Sequence, residues 1–356
     1  MKIKHDIINI ANRMLKVQVH GLPMFKNVDL IDNLAHLPPM LQVVIDTEEA
    51  FDWQKFPSRE QVSVKHLNLL ESVQSIFRQY GITPCYVMDF PVVNDLENNV
   101  LLREFHRNGQ CEIGAQLHPW VNPPFTEQLS FANMYPGNLD LVTEKAKLQQ
   151  LTELIAMHFG ERPTVYKAGR YGFGRNTQSI LEQLGYHIDL SVCPPFDHSK
   201  DGGPDYHNFA AKPFTFGKNL LEIPLTGAYV SFHPPLAHKA FRFAQKFEQC
   251  KLPGIFARTG IVDRLMLSPE GYTFSEHVKL TKFLLRQGVR IFTWSFHSSS
   301  IEPGNTSYVR TNKDLMMFLD IFKRYFDFFF NEIGGKATSP HQIRTLIQPI
   351  KTNTGC

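Results

Sequence analysis

Six acidic, basic and imidazole side chains stand at or just beyond the ends of short apolar runs, where they could perform hydrolytic chemistry. Hydrolysis of an amide or ester needs a water made nucleophilic by a carboxylate base or a Lewis-acidic metal, and a proton for the leaving group. Carboxylates meet the first need, and histidine meets the second near neutral pH. The six are Asp46, Glu48, His118, Arg170, Asp189 and His297.

The elements that must position these residues are predicted from the hydrophobic pattern. Short apolar runs, typical of buried strands, alternate with longer segments whose apolar residues have helical spacing, and this alternation favours parallel strands. The predicted strands are 41–46, 82–90, 111–117, 164–169, 186–192, two near 220–233, and 289–297. The predicted helices are 62–81, 94–109, 141–160, 176–185, 236–249, 311–333, and one within 268–288 that begins with Ser268 as its N-cap.

An α/β fold built as one barrel-like domain accounts for this alternation better than two doubly wound sheets. Side chains at the carboxyl ends of parallel barrel strands face one shared mouth. Residues far apart in sequence would therefore meet there. The predicted organisation is a lead-in at 1–40, the barrel at 41–333 and a polar, loosely attached tail at 334–356.

The charge and cysteine content of the chain indicate which kinds of partner and which cellular compartment to expect for the protein. The net charge of the 356-residue chain is +3 and Lys/Arg-rich runs are missing, which argues against a nucleic acid partner. The five cysteines are scattered and lack C-x-x-C spacing, so a reducing compartment is expected. We expect no membrane span, because no run approaches roughly 20 apolar residues. A cytoplasmic location is the resulting prediction.

Five motifs resemble the polysaccharide deacetylase family, which shares the NodB homology domain (carbohydrate esterase family 4), and within it the WalW-like branch. They are "VVIDTEEAFDW", "EIGAQLHPWVNPPF", "YKAGRYGFG", "DLSVCPP" and "FTWSFHSSSIEPGNTSYVR". The resemblance covers about 41–330 and is most specific in the first, second and fifth motifs. It implies a distorted, incomplete (β/α) barrel of about seven parallel strands. It also implies removal of acetyl groups from an N- or O-acetylated sugar or polysaccharide precursor, with a divalent metal.

The resemblance also implies a role for each matching residue. Asp46 matches the general base, and His297 matches the acid that protonates the leaving group. Arg170 would orient the base, and Asp189 would lie behind it. Glu48 matches the first metal ligand.

The metal motif departs from the family pattern. Gln116 and Trp120 occupy the positions of the two usual histidine ligands, and His118 stands between them. Side chains two apart on a strand point to the same face, so Gln116 and His118 are both predicted to face the mouth, with Glu48 or Asp46 completing a site. An amide oxygen is a poorer zinc ligand than imidazole. Zinc is the first candidate ion, and such a site would bind it weakly, prefer a harder divalent ion, or hold none.

Other residues near the motifs have open interpretations. Substrate contacts are predicted at Trp53, Trp120, Asn122 and Tyr171, although packing is the default role of each aromatic ring. Glu49 is interpreted as a capping or solvent-facing residue. The alternative to a hydrolase is a catalytically altered barrel that keeps the cleft and binds a glycan or a protein partner.

Overall fold

A long, mainly parallel β-sheet forms the centre of the molecule. The computed structural model describes residues 24–31, 34–52 and 55–347. The strands of these ranges are β1 Asp29–Leu30, β2 Met40–Thr47, β3 Cys85–Met88, β4 Glu112–Leu117, β5 Val165–Ala168, β6 Ile188–Asp189, β7 Phe214–Phe216, β8 Leu220–Glu222, β9 Gly227–Val230, β10 Asp263–Met266, β11 Ile291–His297 and β12 Lys336–Ala337.

Helices precede or follow most of these strands. The α-helices of the described ranges are α1 Glu71–Gln79, α2 Phe90–Asn94, α3 Val100–Arg107, α4 Leu141–Phe159, α5 Thr177–Leu184, α6 Pro234–Gln245, α7 Leu252–Thr259, α8 Phe274–Arg286, α9 Asn312–Asp327 and α10 Pro340–Ile347. Shorter 3-10 helices lie at Lys65–Leu69, Ala132–Met134, Pro136–Asn138, Gly169–Tyr171, Ser199–Asp201, Glu248–Cys250 and Ser298–Ile301, and a π-helical turn at Phe328–Glu332 extends α9.

The order of the main sheet is β1-β7-β8-β6-β5-β4-β3-β2-β11, with β12 pairing β2 off this path, and it curls as an open half-barrel. The seven neighbouring strands from β8 to β11 are parallel, whereas β7 is antiparallel to both of its neighbours. The path through the described residues therefore has nine strands rather than the expected seven. The additional strands β1 and β7 have two and three residues, which is too short for a hydrophobic period to reveal them.

The strands of the sheet centre are covered on both faces. All eight residues of β2 are buried, as are all four of β3 and of β5. Burial on both faces is typical of parallel sheets and explains why these strands read as continuous apolar runs. The polar residues that interrupt them, such as Asp46 and Lys167, are therefore buried as well.

Helix α8 begins later than predicted. Its N-cap is Thr273, whose hydroxyl accepts from the backbone N–H of Glu276 while the Glu276 carboxylate accepts from the backbone N–H of Thr273. Ser268 is therefore not the cap. The reciprocal capping box starts the helix five residues downstream, and the loop before it buries Ser268, Pro269 and Glu270 but exposes Gly271.

Part of the predicted tail belongs to the sheet. Lys336 and Ala337 pair with the start of β2, and α10 buries Ile343 and Ile347. The segment at 24–30, within the predicted lead-in, likewise contributes β1. The boundaries of the barrel at 41 and 333 stay a prediction of domain organisation.

Among the described residues, no helix is both long enough and apolar enough to cross a bilayer.

Candidate active site

The carboxyl ends of the parallel strands surround a cavity of about 300 Å³. Its walls carry the rings of Phe51, Tyr135, Tyr171, Phe196, Tyr272 and Tyr308. The shared direction of the strands brings the polar ends of separate sequence segments to this one place. The residues predicted from sequence that line the cavity are Asp46, Glu48, Gln116, His118, Arg170, Tyr171 and His297.

Asp46, near the end of β2, is paired with a buried cation. The ammonium group of Lys167, on β5, donates to Asp46 Oδ1, and neither side chain is more than a few per cent exposed. A buried carboxylate and ammonium group compensate each other's loss of hydration only when they stay paired. The second oxygen, Oδ2, lies 3.7 Å from Nε2 of His297. The pairing with Lys167 thus fixes the Asp46 side chain with its other oxygen directed toward the histidine.

His297, the last residue of β11, is paired with Glu270. Its Nδ1 lies 2.7 Å from Glu270 Oε2, and its backbone N–H donates to Glu270 Oε1 at 3.1 Å. The Ser300 hydroxyl also donates to Oε1, at 2.5 Å, which fixes the carboxylate. Burial acts against the charged imidazolium, but Glu270, Glu48 and Asp46 outweigh it and raise the pKa of His297 to about 9. At neutral pH, His297 is therefore a proton donor.

Glu48, Gln116 and His118 form a second cluster on the cavity wall. Oε2 of Glu48 lies 3.4 Å from His118 Nε2 and accepts from Gln116 Nε2 at 3.3 Å. The Gln116 amide nitrogen lies 3.3 Å from His118 Nε2. Burial raises the pKa of Glu48 to about 7, while His297 and His118 act in the opposite direction.

The other nitrogen of His118 faces two further carboxylates. Nδ1 lies 3.0 Å from Glu49 Oε2 and 3.5 Å from Asp89 Oδ2. Burial alone would lower the pKa of His118, but Glu49, with Asp89 and Glu48, raises it well above its usual value. The imidazole also stacks on Trp120, with ring centroids 4.3 Å apart. Contacts on both sides fix the orientation of the ring.

These residues fit a divalent metal ion on the cavity side of His118. The three atoms of the Glu48, Gln116 and His118 cluster are 3.3 to 3.4 Å apart. Two ligand atoms of a tetrahedral zinc ion are also about 3.4 Å apart, given metal–ligand bonds of about 2.1 Å. Oε1 of Glu48 and of Gln116 are buried without hydrogen-bond partners, and half a turn of the amide would bring its oxygen to the cluster. A carboxylate partner on the far nitrogen, here Glu49, is the usual support of a metal-binding histidine.

Two carboxylate and histidine groups in the described ranges have ligand atoms within 4.8 Å of one another, namely Asp46 with Glu48 and His297, and Glu49 with Asp89 and His118. The second group is fully enclosed, and its contacts already use Nδ1 of His118. The first contains Asp46, which is paired with Lys167. The cluster of Glu48, Gln116 and His118 lies between them and opens on the cavity.

Arg170 lines the cavity but does not orient Asp46. Its guanidinium donates to the hydroxyl of Tyr135 at 3.4 Å and lies over that ring. Lys167, which lies within β5, is instead the cation paired with Asp46, whereas Arg170 lies in the turn beyond that strand. Tyr171 also lines the cavity, and its ring lies 5.1 Å from the Lys167 ammonium group.

Asp189 is placed below the mouth, away from the cavity. In the sheet, Asp189 lies beside Tyr166 of β5 and Glu222 of β8. Tyr166 comes four residues before Arg170, so Asp189 lies below the level of the cavity. Its Oδ1 accepts from Ser191 at 2.6 Å. Burial raises the pKa of Asp189 to about 6, and burial together with the neighbouring Asp189 carboxyl group raises the pKa of Glu222 well above its usual value. The predicted place behind the base is not where this residue lies.

Two predicted substrate contacts are core residues. Trp120 is 2 % exposed and packs with Val121, Met134 and Phe51, so its faces are covered. Asn122 is fully buried, and its amide donates to the backbone carbonyls of Pro123 and Lys147. Trp53 lies outside the described residues.

Four site residues escaped the sequence prediction, namely Lys167, Glu270, Glu49 and Asp89. Lys167 had a visible signal, since it is a charge inside an otherwise apolar strand. Glu270 was hidden because "SPEG" reads as the start of a helix. Glu49 and Asp89 follow strands β2 and β3, where a capping role is the ordinary interpretation; Asp89 does cap α2.

Solved structures with a similar course of the chain include proteins that act on polysaccharides. A proposed polysaccharide deacetylase from Mycobacterium smegmatis is 13% identical with a TM-score of 0.47, covering 88% of this chain and 92% of that one. A peptidoglycan deacetylase from Bacillus subtilis is 10% identical with a TM-score of 0.39, covering 88% of this chain and 94% of that one. A carbohydrate esterase family 4 pseudoenzyme from Bacillus anthracis is 9% identical with a TM-score of 0.38, covering 86% and 66%.

Neither a protein-family model nor a curated protein sequence matches the chain. At these identities and TM-scores, the function has to be argued from the residues of the site.

Proposed function

We propose that this protein is a hydrolase that removes the acetyl group from an N- or O-acetylated sugar or polysaccharide precursor. One observation carries the proposal. Asp46 and His297 stand 3.7 Å apart in the same cavity, and each has its own buried partner of opposite charge. Two neighbouring groups kept in opposite protonation states are the arrangement that general base and general acid catalysis requires.

The two residues divide the proton transfers between them. The Asp46 carboxylate takes a proton from a water molecule as its oxygen bonds to the acetyl carbonyl carbon. The His297 imidazolium then gives its Nε2 proton to the sugar nitrogen or oxygen as the bond from that atom to the carbonyl carbon breaks. Acetate and the deacetylated sugar are the products. The Glu270 carboxylate, 2.7 Å from Nδ1, stabilises the charged acid before this transfer.

Glu48, Gln116 and His118 would hold a divalent ion beside this pair. When bound, such an ion polarises the acetyl carbonyl and the attacking water as a Lewis acid. A carboxylate, an amide oxygen and one imidazole form a harder ligand set than the histidine pair of the family motif. Zinc remains the first candidate, and manganese is a second ion to test.

The aromatic lining supports a sugar as the substrate. Six aromatic rings line a cavity of about 300 Å³ together with polar side chains that include Asp46, Glu48 and His297. Aromatic faces pack against the apolar faces of sugar rings while leaving hydroxyl groups to polar partners. The motif resemblance to the polysaccharide deacetylase family, and to its WalW-like branch, agrees with this class. The predicted cytoplasmic location stays a prediction.

A second candidate is a glycan-binding barrel without catalysis. It is favoured by the Gln116 amide, which already donates to Glu48 and contacts His118, so that hydrogen bonds alone satisfy much of the cluster. Such a protein would keep the aromatic cavity and bind acetylated glycans unchanged.

Acetate release from a panel of acetylated glycans tests the proposal, using the wild type, Asp46→Asn, His297→Gln and the exposed control Asp320→Asn. We expect each site variant to lose about 100-fold or more in kcat/KM, with the control unchanged. Activity lost on chelation and restored by zinc or manganese would support a bound ion, whereas activity that survives chelation would exclude it. Glycan binding without acetate release would favour the second candidate, and full activity of both site variants would refute the assignment.

A further inference from the structure

An exposed surface of apolar and cationic side chains lies on the two helices between β9 and β10, outside the cavity. We call it the α6–α7 surface. Its apolar members are Phe232, Leu236, Phe243, Phe247 and Ile255, which are 75, 52, 53, 45 and 48% exposed. Its cationic members are Lys239, Arg242, Lys246, Lys251 and Arg258, all of them exposed.

Helix α6 has more apolar surface than its packing uses. Ala237, Phe241 and Ala244, at spacings of four and three, form the buried row that packs against the β9–β10 ribbon. Leu236 and Phe243 each precede a residue of the buried row by one position and form a second, exposed row. Phe247, four residues after Phe243, continues this row beyond the end of the helix. One apolar row is enough to dock a helix on its domain. The second row therefore leaves a contiguous apolar strip facing outward, of the kind that marks a binding surface.

Positive charge borders this strip. Lys239 and Lys246 each follow an exposed apolar residue by three positions, which places them next to Leu236 and Phe243 on the helix. The segment 232–259 contains five Lys or Arg residues against the single acidic residue Glu248, a net charge of +4. The entire chain has a net charge of only +3. The excess positive charge of the protein is thus concentrated around its apolar strip.

We propose that the α6–α7 surface docks on an anionic lipid bilayer, with the helices lying in the interfacial plane. Apolar side chains that enter the boundary between headgroups and acyl chains, together with lysines at their edge, are the features of an interfacial helix. Long Lys and Arg side chains bury their stems and keep their charges at phosphate level. An anionic bilayer is favoured over a protein partner because the segment 232–259 has a net charge of +4, which anionic headgroups complement.

The buried side of α6 is connected to the cavity wall. The guanidinium of Arg264 lies 5.0 Å from the ring centroid of Phe241, on α6, and 4.4 Å from that of Phe196. Phe196 is part of the cavity wall. A docked protein would therefore have this part of the cavity wall on the inner side of α6 and the membrane on its outer side. Docking does not depend on catalysis, so it stands or falls separately from the proposed hydrolysis.

Co-sedimentation of the full-length protein with vesicles tests the proposal. One set of vesicles is phosphatidylcholine, and the other also contains phosphatidylglycerol. The apolar variant is Phe243→Ser/Phe247→Ser and the charge variant is Lys239→Glu/Lys246→Glu. Their matched controls, on exposed sites elsewhere, are Met157→Ser/Met316→Ser and Lys313→Glu/Lys323→Glu. Circular dichroism and unfolding curves confirm that each variant is folded.

We expect the wild type to bind the anionic vesicles and to be released by salt. The charge variant removes two lysine charges, which at about fivefold for each should weaken partitioning about 25-fold, and the two added carboxylates should weaken it further. The apolar variant should weaken it at least tenfold, and both controls should bind like the wild type. Equal binding to both vesicle types, or binding to neither, would overturn the proposal. So would a dimer that the apolar variant converts to a monomer while vesicles bind nothing, because the surface would then join two copies of the chain.

Discussion

At the scale of single residues, the negative charge of Asp46 and the positive charge of His297 each have a different buried partner of opposite charge. Lys167 neutralises Asp46, and Glu270 neutralises the charge that His297 carries as an acid. Glu270 lines the cavity wall, and both of its carboxylate oxygens are engaged by His297 and Ser300. In the proposed mechanism Lys167 and Glu270 act through the residue that each holds, which makes them positioning residues. Their contributions can be measured separately because one controls a pKa and the other compensates a buried charge.

Replacing Glu270 with Gln should change the pH dependence of activity. His297 must be protonated to act as the acid, so wild-type kcat/KM should fall as pH rises through about 9. In Glu270→Gln the main group that raises this pKa loses its charge, and the falling limb should move toward neutral pH. A purely structural role would lower kcat without moving the limb. Glu332→Gln, an exposed carboxylate, is the control, and an unmoved limb in Glu270→Gln would contradict the assignment.

Lys167 should stabilise the fold as well as the base. In Lys167→Met the Asp46 carboxylate stays buried without its cation, which should lower the free energy of unfolding by about 3–5 kcal/mol. In the double variant Asp46→Asn/Lys167→Met that charge is gone, so much of the stability should return while activity stays lost. Urea unfolding of the four proteins of this cycle measures the coupling. Additive effects of the two substitutions would show that the pair is not coupled.

At the scale of elements, the turn after β5 places Arg170 and Tyr171 at the cavity through an uncommon backbone. Both residues have positive φ, 52° and 61°, although neither is glycine. A residue with a Cβ in this region costs roughly 1–2 kcal/mol relative to its usual conformations. The backbone of this turn is therefore unfavourable by itself, and it is the conformation that places both side chains at the cavity.

Comparison of Arg170→Gly with Arg170→Ala isolates this backbone cost. Both variants lose the guanidinium, so both should lose activity to a similar extent. Glycine adopts positive φ without strain, and Arg170→Gly should therefore be more stable than Arg170→Ala by about 1 kcal/mol. Thermal unfolding and acetate release measure the two quantities. A less stable glycine variant would show that the turn is not strained at this position.

The elements also show what the sequence can predict and what it cannot. The strands before Asp46, His118 and His297 are long or strongly apolar, and these residues do lie together at one mouth. Asp189 is the last residue of a two-residue strand whose register sets it lower in the sheet, and register is not visible in sequence. The predicted position of Glu270 depends on where α8 begins. The sequence has two possible N-caps for this helix, Ser268 and Thr273, and only the structure shows that Thr273 is used.

At the scale of the whole molecule, one end of the sheet forms the cavity and the other is covered by packed secondary structure. The carboxyl ends surround the cavity, whereas β12 and α10 cover the amino ends. His341, on α10, contacts Glu112 and Thr164, each at 2.8 Å, at the starts of β4 and β5. Arg344 donates to the backbone carbonyl of His187, just before β6, at 2.7 Å. The region after 333 was predicted as a loose tail because its polar residues hide these long-range contacts.

This division predicts that α10 affects stability without affecting chemistry. Ile343 is fully buried against the sheet, and its replacement by Ala should lower the free energy of unfolding by about 2–5 kcal/mol. The cavity lies at the opposite end of the strands, so the folded fraction of Ile343→Ala should keep the wild-type kcat/KM at a temperature well below its midpoint. The exposed neighbour Leu346→Ala is the control, and it should change stability by less than about 0.5 kcal/mol. A reduced kcat/KM in fully folded Ile343→Ala would mean instead that packing at the amino ends reaches the site through the strands, since β2, β4 and β5 run from one end to the other.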